Sequence, residues 1–287
     1  VDTANDQHIQ NADSRSPAIS VRGSARLDGR SGLHFDAAIF DMDGVVTDTT
    51  AVHSRAWKQM FDSYLRRRAT ALAVPFVEFD AERDYRAFVD GRPRYEGVAT
   101  FLNSRGISLS RGVPSDSSQI ETVCGLGNLK NEIFNSLIKS EGVATFESTV
   151  SLIRQLLQEG VKIGLATSSF NAAGILQRSG ADKLFESVVD GAVAASRKLK
   201  GKPEPDVFVA AAADLGVPAS RAIVIEDAVP GVQAGAKGGF ALVIGIARDG
   251  KLHELLRIGA DIAVRDLSET SLEQIEQLVQ EKRARAG

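Results

Sequence analysis

The stretch Ala37–Thr49, AAIFDMDGVVTDT, joins four apolar residues to two aspartates, Asp41 and Asp43, with Met42 between them. A short apolar run ending in a polar turn reads as a strand buried on both faces. Two carboxylates this close repel each other and raise a pKa unless positive charge lies between them. A metal ion, a phosphoryl group with its counter-charges, or water around a polar turn would each satisfy the pair. The rest of the chain bears on the choice.

Working outward, further apolar runs stand at 161–166 (VKIGLA), 187–189, 222–225 (AIVI) and 240–244 (FALVI), separated by helical patterns. In STVSLIRQLLQEG, Val150, Ile153, Leu156 and Leu157 are expected on one face, with Gly160 as the stop. Fully apolar strands alternating with helices predict an α/β fold, a doubly wound parallel sheet with a Rossmann-like core. Ligands in such sheets bind beyond the carboxyl ends of the strands.

One gap breaks the alternation. Residues 50–145 hold only helical segments, such as AVHSRAWKQMFDSYLRRRA, YEGVATFLNSRG and LGNLKNEIFNSLIKSEG, with TALAVPFVEFD as an extended excursion. That is too long for a βα connection and too apolar for a disordered loop, so it reads as an inserted helical cap domain. The core domain then comprises 34–49 and 146–287. Residues 1–33, polar and aperiodic, read as a disordered arm without the apolar segment of a secretory signal.

The 287 residues are 43% hydrophobic and 25% charged with a formal net charge of −3, a globular balance that gives no reason to expect nucleic acid. The single cysteine, Cys124, cannot form an internal disulfide and reads as core in a reducing cytoplasm. No apolar run approaches the ~20 residues that span a bilayer. His8 and His34 have no ligand pattern around them, and nothing in the pattern speaks to oligomeric state.

Chemistry collects at the strand ends. Asp41 and Asp43 follow the first strand; Thr167, Ser168 and Ser169 follow the second, with Asn171 at a helix start. KGKPEPD presents Lys202, and Glu226 and Asp227 end the fourth strand ahead of AVPGVQAGAKGG. Taken singly these are a solvated turn, an N-cap, a surface lysine and a charged loop. Together and in this order they form a site.

DMDGVVTDT, Thr167, the KGKPEPD lysine and IEDAVPGVQAG resemble, in order, the four motifs of the haloacid dehalogenase superfamily, and an insertion after the first motif resembles its helical-cap subclass. DGVVTDTTAVHSRAWK and LGNLKNEIF are most similar to its β-phosphoglucomutase group. The resemblance implies Mg2+-dependent phosphoryl transfer between positions of a sugar phosphate, interconverting β-glucose 1-phosphate and glucose 6-phosphate through a 1,6-bisphosphate. Sugar-phosphate hydrolysis, for example of a trehalose-phosphate-like ester, is the alternative, and a binding protein without catalysis a more distant one. No nucleic acid or membrane partner is implied.

On this resemblance Asp41 is the nucleophile and Asp43 the acid/base. Asp41, the Asp43 carbonyl, Glu226 and Asp227 hold the metal. Thr167, Ser168 and Lys202 meet the phosphoryl oxygens, and Asn171 orients the ligand or starts a helix. His53 assists Asp43, Arg94 (or its neighbour Arg92) takes a distal phosphate, and Lys130 meets the sugar phosphate. Gly44 lets the backbone turn beside the phosphate, Thr47 and Thr49 flank a hinge, and Asp48 bonds backbone in the turn. The chain departs from the group at Asp90, where a lysine is usual, at Phe170, also a common lysine position, and in the additional RRRATALAVPFVEFDAERDYRAF.

Overall fold

The computed structural model describes residues 32–248 and 250–286. The expected arm, with His8, falls outside them but for its last two residues.

Strands β1 (Ala37–Phe40), β2 (Lys162–Ala166), β3 (Ser187–Val189), β4 (Ala222–Glu226), β5 (Leu242–Ile246) and β6 (Ile262–Val264) form one sheet in the order β3-β2-β1-β4-β5-β6. Every neighbouring pair is parallel. β1 lies inside the sheet, and its alternate residues feed two cores. Ala38 and Phe40 join one apolar cluster; Ala37 and Ile39 join the other. Burial on both faces is why the run is apolar at every position.

Two strand readings are corrected. The last expected run, 240–244, starts two residues later as β5, because Phe240 and Ala241 only lead into the register that pairs Ile223 with Leu242. β6, a three-residue edge strand with two residues only partly buried, was not foreseen.

Helix α4 (Glu147–Gln158) buries Val150, Ile153 and Leu156 as expected, but Leu157 is 40% exposed. Leu152, four residues before Leu156, takes the inward position instead. Around the sheet run α5 (Ala172–Ser179), α6 (Gly191–Ser196), α7 (Asp206–Asp214), α8 (Val229–Lys237), α9 (Leu252–Arg257) and α10 (Leu272–Ala286). His34 pairs with Glu276 of α10.

Between β1 and α4 the chain forms helices α1 (Thr50–Leu72), α2 (Arg94–Ser104) and α3 (Val123–Glu141), with a π-helical turn at Tyr85–Val89. They enclose an aromatic core in which the Phe61 and Phe101 rings lie 4.2 Å apart and those of Phe79 and Phe101 4.9 Å. The extended excursion begins after α1, and Asp62 fastens it by accepting the Phe79 N–H at 2.8 Å. At the base, Val52, Ala56, Phe134 and Ile138 merge with the sheet's own core. Cys124 is buried in α3.

Candidate active site

The parallel register aligns the strand ends. Phe40 pairs with both Leu165 and Ile225, so Asp41, Ala166 and Glu226 arrive side by side, with Thr167 and Asp227 one residue further. The Asp41 N–H donates to the Ile225 carbonyl at 2.9 Å, and the chain then leaves the sheet in a tight turn. Gly44 makes that turn possible. It sits at φ +83°, and a Cβ there would lie 1.8 Å from Asp227 Oδ2. Gly231 serves close approach too, since a Cβ would meet Glu226 Oε1 at 2.0 Å.

Lys202 comes from the loop ahead of α7 and lies behind the strand ends. Its buried ammonium donates to Asp41 Oδ1 at 2.5 Å and to Glu226 Oε2 at 3.0 Å. Asp41, Glu226 and Asp227 each present one oxygen within 4.8 Å of the others. Burial pushes Asp41 up to about 6 against the pull of Lys202, and pushes Glu226 up to about 8 with help from the Asp41 charge. Asp227 is raised well above the carboxylate range, by burial and then by Glu226. Burial would lower Lys202, yet Asp41 and Glu226 outweigh it and its pKa is raised. Three carboxylates against one ammonium leave this cluster short of positive charge.

The turn itself points the same way. Of the carbonyls from Met42 to Thr47, those of Met42, Gly44, Val45, Val46 and Thr47 accept hydrogen bonds, whereas that of Asp43 accepts none among the described residues. A hard, oxygen-seeking divalent ion fits three clustered carboxyl oxygens beside a free carbonyl.

Asp43 faces the cleft. Its carboxylate accepts from Thr49, and His53 Nε2 lies 3.3 Å away without hydrogen-bond alignment. His53 stacks on Phe134 at 4.1 Å, and its Nδ1 lies 2.6 Å from Lys130 Nζ. An ammonium there donates to Nδ1, which assigns the imidazole proton to Nε2, toward Asp43. Burial works against the Asp43 carboxylate, but His53, Thr49 and Lys130 outweigh it and hold the pKa below its usual value. Burial brings Lys130 down to about 7, and burial with the Lys130 charge lowers His53.

The cleft between the helices and the sheet is lined by Asp41, Asp43, His53, Arg92, Arg94, Lys130, Thr167, Ser168, Asn171, Glu226 and Asp227. Three expected residues do not line it. Lys202 is behind Asp41, Gly44 packs against Asp227, and Thr49 is buried beneath Asp43. Thr47 is buried as well, bonded to the Met42 carbonyl. Asp48 bonds through its backbone N–H to the Ala144 carbonyl, and its side chain is exposed.

Arg94 opens α2 with its guanidinium 5.1 Å from the Phe170 ring and 5.4 Å from that of Tyr95, and no carboxylate pairs with it among the described residues. Asn171 begins α5 and also reaches across the cleft, donating to Asn131 Oδ1 at 2.7 Å, while Ser168 Oγ donates to the Gly91 carbonyl at 3.2 Å. Tyr85, Trp57 and Asn131 line the cleft without having been foreseen. Asp90, seen in the sequence only as a departure, lines it too, pushed up to about 6 by burial.

A buried aspartate beside a buried lysine, an acidic cluster and a second aspartate two residues on is the donor set expected of one class of phosphoryl-transfer centre. The chain belongs to the haloacid dehalogenase-like hydrolase family, matched over residues 35–239, and is an enzyme of that superfamily. It is 42% identical over 236 residues to a β-phosphoglucomutase of Mycobacterium bovis, covering 81% of this chain and 90% of that one. A phosphorylated carbohydrates phosphatase of Thermotoga maritima is 26% identical over 231 residues, covering 78% and 92%. The crystal structure of β-phosphoglucomutase from Clostridium difficile aligns with a TM-score of 0.67 at 25% identity, covering 87% of this chain and 99% of that one.

Proposed function

We propose that this enzyme is a β-phosphoglucomutase, converting β-glucose 1-phosphate to glucose 6-phosphate through glucose 1,6-bisphosphate. The observation that carries the reading is a cleft lined both by the Asp41 cluster, which would take a phosphoryl group together with a bound cation, and by Arg94. The Asp41 centre takes the reacting phosphoryl group, and Arg94, a guanidinium without a carboxylate partner among the described residues, suits a second phosphate.

Asp41 attacks phosphorus through Oδ, the bond to the leaving oxygen breaks, and an aspartyl phosphate forms. Asp43, ionised at rest, takes the proton from the sugar hydroxyl that attacks this phosphate, giving the bisphosphate. After the bisphosphate turns over, Asp43 returns that proton to the departing oxygen as Asp41 is rephosphorylated. Thr49 holds Asp43 in place with His53 Nε2–H beside its carboxylate, and Lys202 keeps Asp41 directed. Thr167 and Ser168 donate to the phosphoryl oxygens. Mg2+, held by Asp41, Glu226, Asp227 and the Asp43 carbonyl, supplies charge neutralisation for the phosphate.

Residues 50–145 act as the cap domain on a core of 34–49 and 146–287. Contacts of Ser168 with Gly91, Asn171 with Asn131 and Phe170 with Arg94 close it over the cleft, which favours transfer to sugar over transfer to water. The Thermotoga relative is named a phosphatase, which supports sugar-phosphate hydrolysis as the second reading. A cytoplasmic setting is part of the proposal, in keeping with the lone buried cysteine. Among the described residues no helix is long and apolar enough to cross a membrane.

The covalent step is tested with Asp41→Asn, which is expected to abolish both turnover and labelling of the protein by radioactive acetyl phosphate. Undiminished turnover would falsify the mechanism.

A further inference from the structure

The turn after β1 carries both Asp43 and its free carbonyl; besides its internal bonds to the Met42 and Thr47 carbonyls it is held from behind the cleft. Thr149 Oγ1 donates to the Val45 carbonyl at 2.7 Å, the Phe146 N–H to Val46 at 3.0 Å, and Arg248 Nη1 to Gly44 at 2.6 Å. Arg248 differs from the other two in being a side chain brought by a separate strand, just past β5. Its guanidinium lies 3.5 Å above the Phe146 ring, and Nη2 is 3.5 Å from Asp266, which also accepts from Ser148 at 2.8 Å. Gly44 is thus gripped on its carbonyl by Arg248 and crowded at its α-carbon by Asp227.

We propose that Arg248 is a positioning residue for the reaction, setting the Gly44 peptide and through it the direction of Asp43. The Asp43 carbonyl is one peptide away from the bond that Arg248 makes. Gly44, at a φ open to few other residues, is held through its N–H by the Thr47 carbonyl at 2.8 Å, but its own carbonyl oxygen has no other donor among the described residues. Arg248 does not line the substrate cleft; it lines a second cleft of about 430 Å³ on the other side of Asp227. Arg248 therefore lies outside the lining that substrate meets, although its charge is felt at Asp227. The effect falls on the chemical step and on cation binding rather than on substrate affinity. The inference rests on the proposed phosphoryl transfer at Asp41.

The test compares Arg248→Met, which keeps the packing on Phe146 without donors, and Arg248→Ala with the parent enzyme. Magnesium-dependent turnover of acetyl phosphate is measured, because it needs no sugar, alongside magnesium binding by titration calorimetry. Both variants should lose about 10- to 100-fold in kcat and bind magnesium several-fold more weakly, with KM for acetyl phosphate little changed. The side-chain space left by alanine opens to the second cleft, so methylguanidinium should restore turnover to Arg248→Ala, while potassium chloride at equal ionic strength should not. Parent-like kcat and magnesium affinity in Arg248→Met would overturn the assignment, whether or not the alanine variant folds. So would a folded Arg248→Ala that methylguanidinium leaves unrescued. A parent enzyme that turns over no phosphate ester would instead remove the phosphoryl-transfer reading, and the assignment with it.

Discussion

Replacing Lys202 by methionine removes the one ammonium shared by Asp41 and Glu226 while keeping most of the side-chain volume. All three groups are nearly inaccessible, with side-chain exposures of 1% for Lys202, 8% for Asp41 and 1% for Glu226. Breaking a buried pair by removing one partner costs about 3–5 kcal/mol, because a charge is left uncompensated. Protonation offers an escape. Lys202 holds both carboxylates lower than burial alone would, so without it each rises further and takes up a proton more readily. The loss should therefore fall toward about 3 kcal/mol, a drop in Tm of roughly 6–12 °C for a chain of this size. Thermal unfolding by circular dichroism at pH 7, with chelator present, reads it directly. Turnover should fall in parallel by about 100- to 1,000-fold, the usual loss when a group facing developing charge is deleted. A Tm within about 2 °C of the parent would refute the reasoning, since it would mean the carboxylates tolerate burial without the ammonium.

Other expectations follow from the same geometry. Gly44→Ala forces a Cβ into Asp227 at a positive φ and should weaken magnesium binding by about tenfold or more in calorimetry, with about 1–2 kcal/mol lost in urea unfolding. Arg94→Ala should raise the glucose 1,6-bisphosphate concentration needed for half-maximal activation by about 10- to 100-fold, leaving acetyl phosphate turnover nearly unchanged. Asp84, buried against Arg105 at 2.7 Å, has a pKa lowered because backbone, Arg105 and Arg83 hydrogen bonds outweigh its burial. A depressed folded pKa gives stability that is complete above the unfolded value of about 3.9 and is lost as pH falls through the folded one. Asp84→Asn should thus destabilise by about 1–3 kcal/mol at pH 7, and the gap in urea midpoints should narrow below about pH 4.

What could be read from the sequence was whatever lies on strand ends. Asp41, Thr167, Glu226 and Asp227 are one short step past residues paired in the sheet, so locating the apolar runs locates them. Lys202 could be named but not placed, because a lysine written in a loop gives no sign that it will be buried behind Asp41. β6, a partly exposed strand at the sheet's edge, was missed, and Leu157 was misassigned because helical spacing alone does not separate it from Leu152. Tyr85 and Arg248 were out of reach for a different reason. One sits in a π-helical turn and the other just past β5, and only the folded chain brings them against Asp227 and Gly44.

The central claim is tested most directly by supplying β-glucose 1-phosphate and magnesium, with and without a trace of glucose 1,6-bisphosphate, and following glucose 6-phosphate and inorganic phosphate together. The account predicts glucose 6-phosphate that depends on the bisphosphate, with little free phosphate. Free phosphate as the sole product, unaffected by the bisphosphate, would contradict it.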